Sequence, residues 1–172
     1  MIRNLLSKHR FHAVSLAVAA VAGLSTFGTN AVMLPASAMF LGWVAFNMAS
    51  PSMRGGLANL GCFLLGLIFG IGAAIAIARL TPSLGAASTP LVVSGVVVLV
   101  LSLRTLAPLN NPLAYFLGLT SFFYSGFAPT TSTFAILAGA GIIGAASCAI
   151  ATVVQALVDP APAPVETTLS IA

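Results

Sequence analysis

The chain has 172 residues, of which 59% are hydrophobic and 5% charged, with a formal net charge of +4. A typical soluble domain is roughly 45–50% apolar and about 25% charged. Six basic and two acidic residues cannot clothe a soluble fold of this size, and lipid is the solvent that suits the composition.

The first 10 residues form a basic segment with Arg3, Lys8 and Arg10. A bilayer-spanning helix needs about 20 apolar residues, with a range near 17–25, and six stretches approach that length. The first runs from about Phe11 to Phe27 and closes at the turn signal Gly28-Thr29-Asn30. Ala36-Ser37-Ala38 looks like a signal-peptide cleavage site, yet it lies well beyond the apolar core and follows Pro35, so this first segment is read as a retained helix. The second runs from about Ala31 to Ala49 with Pro35 in its first turn, and Ser50-Pro51-Ser52 ends it. The third runs from about Leu57 to Ala78, and Thr81-Pro82-Ser83 opens the longest internal loop. The fourth covers about Ser88 to Leu106, the fifth Pro112 to Ala128, and the sixth Thr133 to Val158 with Ser132 as its cap. The tail over 159–172 alternates Pro and Ala, is expected to be extended and disordered, and holds both acids, Asp159 and Glu166.

The expected fold is therefore an all-α integral membrane protein with about six transmembrane helices in one domain over 11–158. Lys and Arg favour the cytoplasmic side. With the N-terminus there, Arg3, Lys8, Arg10, Arg54 and Arg104 all lie inside and Arg79 outside, and the C-terminus is cytoplasmic too. The basic residues form no stripe that would grip phosphates, so a nucleic-acid partner is not expected.

Two segments resemble one another. Phe40-Leu41-Gly42-Trp43-Val44-Ala45-Phe46 and Phe116-Leu117-Gly118-Leu119-Thr120-Ser121-Phe122 share Phe-Leu-Gly-x-x-small-Phe at a separation of 76 residues. Each belongs to a short segment opened by a proline, Pro35 or Pro112, and precedes a longer helix rich in Gly and Ala. The chain thus reads as two three-helix repeats, 11–79 and 88–158. An odd number of spans per repeat inverts the second relative to the first. Paired short, Gly/Pro-interrupted segments are the sequence pointer to a transporter's midplane site, although either short segment can also be read as re-entrant.

These residues are similar to the "domain of unknown function 1097" family of small bacterial inner-membrane proteins. The likeness rests on Leu34-Pro35 through Phe46 and on Pro112 through Gly118 with the aromatic run that follows, and it covers most of residues 15–155. It implies a membrane-embedded protein of the bacterial inner membrane and assigns no activity. Asn110-Asn111-Pro112-Leu113 is also similar to a segment of urea transporters, over four residues.

No Asp, Glu or Lys falls within a predicted span, and His12 stands at the basic edge of the first. That argues against a proton relay, a general acid/base pair and a metal cluster. No enzyme activity, cofactor or metal is expected. Cys62 and Cys148 sit deep in apolar runs as small buried hydrophobes. His9 and His12 share a helix face beside Lys8 and Arg10, which suits a headgroup contact. The polar groups at depth are neutral: Asn47, Asn59, Thr120, Ser121, Tyr124 and Gln155. They read as interhelical hydrogen bonds or, around the repeat motif, as contacts to a neutral solute. The aromatics read as core, with Tyr115 and Phe127 in an interfacial belt, or as a constriction. Gly66, Gly70, Gly139, Gly141 and Gly144 are read as helix-packing positions, since small residues let backbones approach.

The function this supports is a channel or facilitator for a small neutral or weakly charged solute, lined by Phe40, Gly42, Phe46, Phe116, Gly118, Thr120 and Phe122. The competing class is a membrane scaffold or accessory subunit. The partner is the lipid bilayer, and six helices enclose so little volume that a homo-oligomer is also expected.

Overall fold

The computed structural model describes residues 2–48 and 52–158, with side chains from Arg10 onward. The Ser50-Pro51 break, the tail over 159–172 and the side chain of His9 lie outside the described residues. Helices α1 (Ile2–Ala31), α2 (Ala36–Asn47), α3 (Met53–Leu84), α4 (Ser88–Ser102), α5 (Pro112–Ser125) and α6 (Thr131–Val158) make an all-α fold.

Three stretches are long and apolar enough to cross a bilayer: Arg10–Ala31, Met53–Thr105 (α3 and α4 with the turn between them) and Thr131–Val158. Among the described residues the fold is all helical, and its long and short apolar helices are consistent with a membrane protein. At about 1.5 Å per residue, α2 rises only about 18 Å and α5 about 21 Å, against a hydrocarbon core of about 30 Å. The second and fifth segments, expected over 31–49 and 112–128, and the fourth, expected over 88–106 and observed as the 15-residue α4 with a rise of about 22 Å, are therefore shorter than a full span.

The helix ends explain the difference. Thr29 is buried and donates its hydroxyl proton to the Ser25 carbonyl at 2.7 Å. The hydroxyl is thus satisfied within the helix, and α1 runs through the expected turn at 28–30 to Ala31. The chain turns instead at Met33, whose φ is +56°, and Pro35 precedes α2. Asn111 accepts from the Leu113 N–H at 3.2 Å and starts α5, while left-handed Gly126 (φ +66°) stops it.

The long loop expected at Thr81-Pro82-Ser83 is not there. Pro82 costs the last turn its N–H to the Ala78 carbonyl, yet α3 runs on to Leu84. Gly85, at φ +53° and ψ −132°, then reverses the chain, and the Thr81 and Ser88 hydroxyls meet across the turn at 3.1 Å. The cap of α6 is Thr130 rather than Ser132: its hydroxyl accepts from the Thr133 N–H at 3.1 Å.

The most extensive packing is of α2 on α6 and of α3 on α5. Helix α5 runs parallel to α3, from Asn111 beside Asn59 to Phe122 beside Gly70. Helix α1 lies antiparallel along α6, with Ser25 donating to Ser147 at 2.7 Å and Leu34 beside Gly139. The fully buried centre holds Met39, Phe63, Leu67, Tyr115 and Leu137. Lipid is as apolar as these side chains, so close packing and interhelical hydrogen bonds hold such helices together.

Candidate functional site

Glycine sets how closely the helices cross. A Cβ on Gly42 would overlap the Gly141 carbonyl of α6, and one on Gly118 would overlap the Phe63 carbonyl of α3. The same holds for Gly66 against the Tyr115 carbonyl and Gly144 against the Met39 carbonyl. Gly141 lies under the Phe63 ring, and a Cβ on Gly70 would stand 3.1 Å from Phe122. Gly139 has only ordinary contact, 3.8 Å from Leu34. Of the positions read as packing glycines, four sit at close approaches and Gly139 does not.

The seven residues expected to line a path do not share one space. Gly42 and Gly118 are closed over by neighbouring backbone. Phe46 packs its ring on Gly56, at 2.5 Å from where a Cβ would sit, and so joins α2 to α3. Phe122 is buried and Phe40 is exposed on the outer surface. Phe116 and Thr120 face a cavity of about 420 Å³ between α3, α4 and α5.

That cavity is apolar. Ala73 closes it from α3 and Val93, Val96 and Val97 from α4, while Leu119, Phe123 and Tyr124 join the expected pair from α5. Helices α4 and α5 touch little, and the gap between them opens the cavity sideways. The valines were missed because nothing in a run of Val distinguishes a cavity wall from a lipid-facing one. Their position shows only once α4 folds back on α3.

The polar residues divide. Asn47, Tyr124 and Gln155 are exposed. Thr120 is exposed at the cavity. Ser121 is buried and its hydroxyl has no partner. Asn59 is buried and accepts from Asn111 Nδ2 at 3.1 Å. Tyr115 does not belong to an interfacial belt. It is 1% exposed, stacks on Phe69 at 5.9 Å and donates its hydroxyl proton to the Leu109 carbonyl at 3.0 Å. Its place near the start of α5 suggested the interface, but the 106–111 segment folds over it and supplies the acceptor. His12 is exposed, edge-on to Phe11 at 5.7 Å. Both cysteines are buried and free.

Against this architecture, the family model described as "Protein of unknown function (DUF1097)" matches residues 15–154. The chain belongs to the DUF1097 family. The match runs from within α1 to near the end of α6, so the DUF1097 unit takes in both glycine crossings and the α3–α4–α5 cavity. No curated protein and no solved structure matches the chain.

Proposed function

We propose that this DUF1097 protein is a facilitator for a small neutral or weakly charged solute, built as two inverted repeats, α1–α3 and α4–α6. The observation that carries the reading is the correspondence between the two glycine crossings. Gly118 on Phe63 matches Gly42 on Gly141, and Gly66 on Tyr115 matches Gly144 on Met39. In both pairs the α2 and α5 positions are 76 residues apart and the α3 and α6 positions 78 apart. These matched contacts are what a two-fold operation exchanging α2 with α5 and α3 with α6 would produce. Gly61 beside Leu109 and Gly139 beside Leu34 repeat the relation, as does α4 on α3 against α1 on α6. Inverted repeats with short central helices are a recurring plan of transporters.

Under the same operation Phe63 and Gly141 exchange places, so their contact lies on the pseudo-axis. The conformation described is then a closed one, with the Phe63 ring as the plug. The reading includes a non-catalytic role, the bacterial inner membrane with both termini cytoplasmic, and a homo-oligomer in the bilayer.

Liposome swelling tests it, with a panel of small neutral solutes and the pair wild type and Phe63→Ala. Flux through the wild type that rises in Phe63→Ala supports the facilitator. Solute-tight vesicles with both proteins correctly inserted reject it. The second reading, a membrane scaffold, is favoured by the filled α2–α6 and α3–α5 crossings, and it predicts that tight result.

A further inference from the structure

We propose that the pocket at the start of α5 binds an oxyanion of the phosphate class. This pocket, about 530 Å³, lies between the N-terminal ends of α3 and α5, with Arg54, Asn59, Asn110 and Asn111 on its wall. It is separate from the cavity under α4, and the proposal does not depend on whether a solute crosses the protein.

The argument starts from a chain of amides. The Leu113 N–H donates to Asn111 Oδ1 at 3.2 Å, which leaves the Asn111 amide nitrogen to donate to Asn59 Oδ1 at 3.1 Å. Side-chain amide orientation is set by such networks. Here the first donor is a backbone N–H, which cannot become an acceptor, so the order of the chain has one sense. Asn59 is left presenting its amide nitrogen. That nitrogen has no partner, although Asn59 is only 5% exposed. A buried donor without a partner is uncommon and calls for an explanation.

The surroundings say what the partner is. Pro112 leaves the first position of α5 without an N–H and Leu113 gives its own to Asn111, so the positive charge here comes from side chains, and the first turn of α5 holds no acid to offset it. Arg54 adds a guanidinium, suited to phosphate oxygens. The only acids of the chain, Asp159 and Glu166, lie outside the described residues. The pocket therefore offers donors and positive charge, which is the complement of an oxyanion. Two sources carry that chemistry, inorganic phosphate and a phospholipid headgroup.

The test uses the full-length protein in maltoside micelles, which contain no phosphate, titrated by calorimetry with inorganic phosphate and, separately, with short-chain phosphatidylglycerol. Asn59→Asp keeps the acceptor for Asn111 but turns the unpaired donor into a negative acceptor, and Arg54→Gln removes the cation from an exposed position. Each variant is expected to weaken binding at least tenfold, with Arg104→Gln, a cation outside the pocket, unchanged. Saturable binding of phosphate assigns a free anion, and binding of phosphatidylglycerol alone assigns a headgroup. Should Asn59→Asp fail to fold, Arg54→Gln against Arg104→Gln decides. No saturable binding of either probe, or equal loss in Arg54→Gln and Arg104→Gln, overturns the proposal.

Discussion

The phenyl ring of Phe63 in α3 occupies the space that a side chain at position 141 of α6 would need. Both positions are buried, and the pair lies next to the places where Gly42 and Gly118 close on the same two helices. A large residue is thus accommodated at the centre because its partner has no side chain.

Gly141→Ala should destabilise the protein by about 1–3 kcal/mol, the usual cost of overpacking. Shortening the ring by Phe63→Leu should recover part of that loss in the double variant, because the obstacle is a side chain. A double-mutant cycle on unfolding in mixed micelles measures the coupling. Purely additive losses would mean that the two residues do not meet.

Gly66, Gly118 and Gly144 should behave differently, since each would strike a carbonyl oxygen that no neighbouring truncation can remove. Alanine at any of them should cost at least as much as at Gly141 and resist rescue. Gly72 and Gly95 have nothing within 4 Å and lie in helix interiors. Alanine there should be neutral or stabilising by up to about 1 kcal/mol, the helix propensity difference. Unfolding midpoints of the five variants give the comparison, and a uniform response would sink it.

Tyr115→Phe removes the bond to Leu109 and leaves that carbonyl without the hydroxyl. A loss of about 0.5–1.5 kcal/mol is expected, concentrated in the segment between α4 and α5. Hydrogen exchange over 103–111 should speed up while the middle of α6 is unaffected. Unchanged exchange in that segment would show that the tyrosine does not anchor it.

Arg54 and the segment after Arg104 come together at one end of the bundle, because α4 folds back along α3 and Leu109 reaches Gly61. Single cysteines at Ser52 and Thr105 should therefore react with a membrane-impermeant maleimide from one side of sealed vesicles, and one at Ser83 from the other. Native Cys62 and Cys148 are buried and should stay silent. Labelling of Ser52 and Thr105 positions from opposite sides would refute the α3–α4 hairpin in the bilayer.

Much of the fold was legible along the chain. Length and hydropathy placed the six apolar stretches, and close packing at Gly66, Gly70, Gly141 and Gly144 followed from small residues on helix faces. Helix ends were read less well, since they hang on single local features such as left-handed Met33 and the bond from the Thr133 N–H to Thr130. Gly42 and Gly118 are the instructive case. The repeat motif singled them out, but composition does not separate a glycine facing a solute from one facing a carbonyl.

The membrane class follows from the sequence by itself, because hydrocarbon responds to polarity summed over a local window. Only the tertiary structure decided which glycine meets which backbone, that Tyr115 is core, and that Asn59 keeps an unpaired donor beside Arg54. Those are relations between residues distant along the chain, set by where helices cross, and the angles and depths of those crossings are properties of the packed bundle.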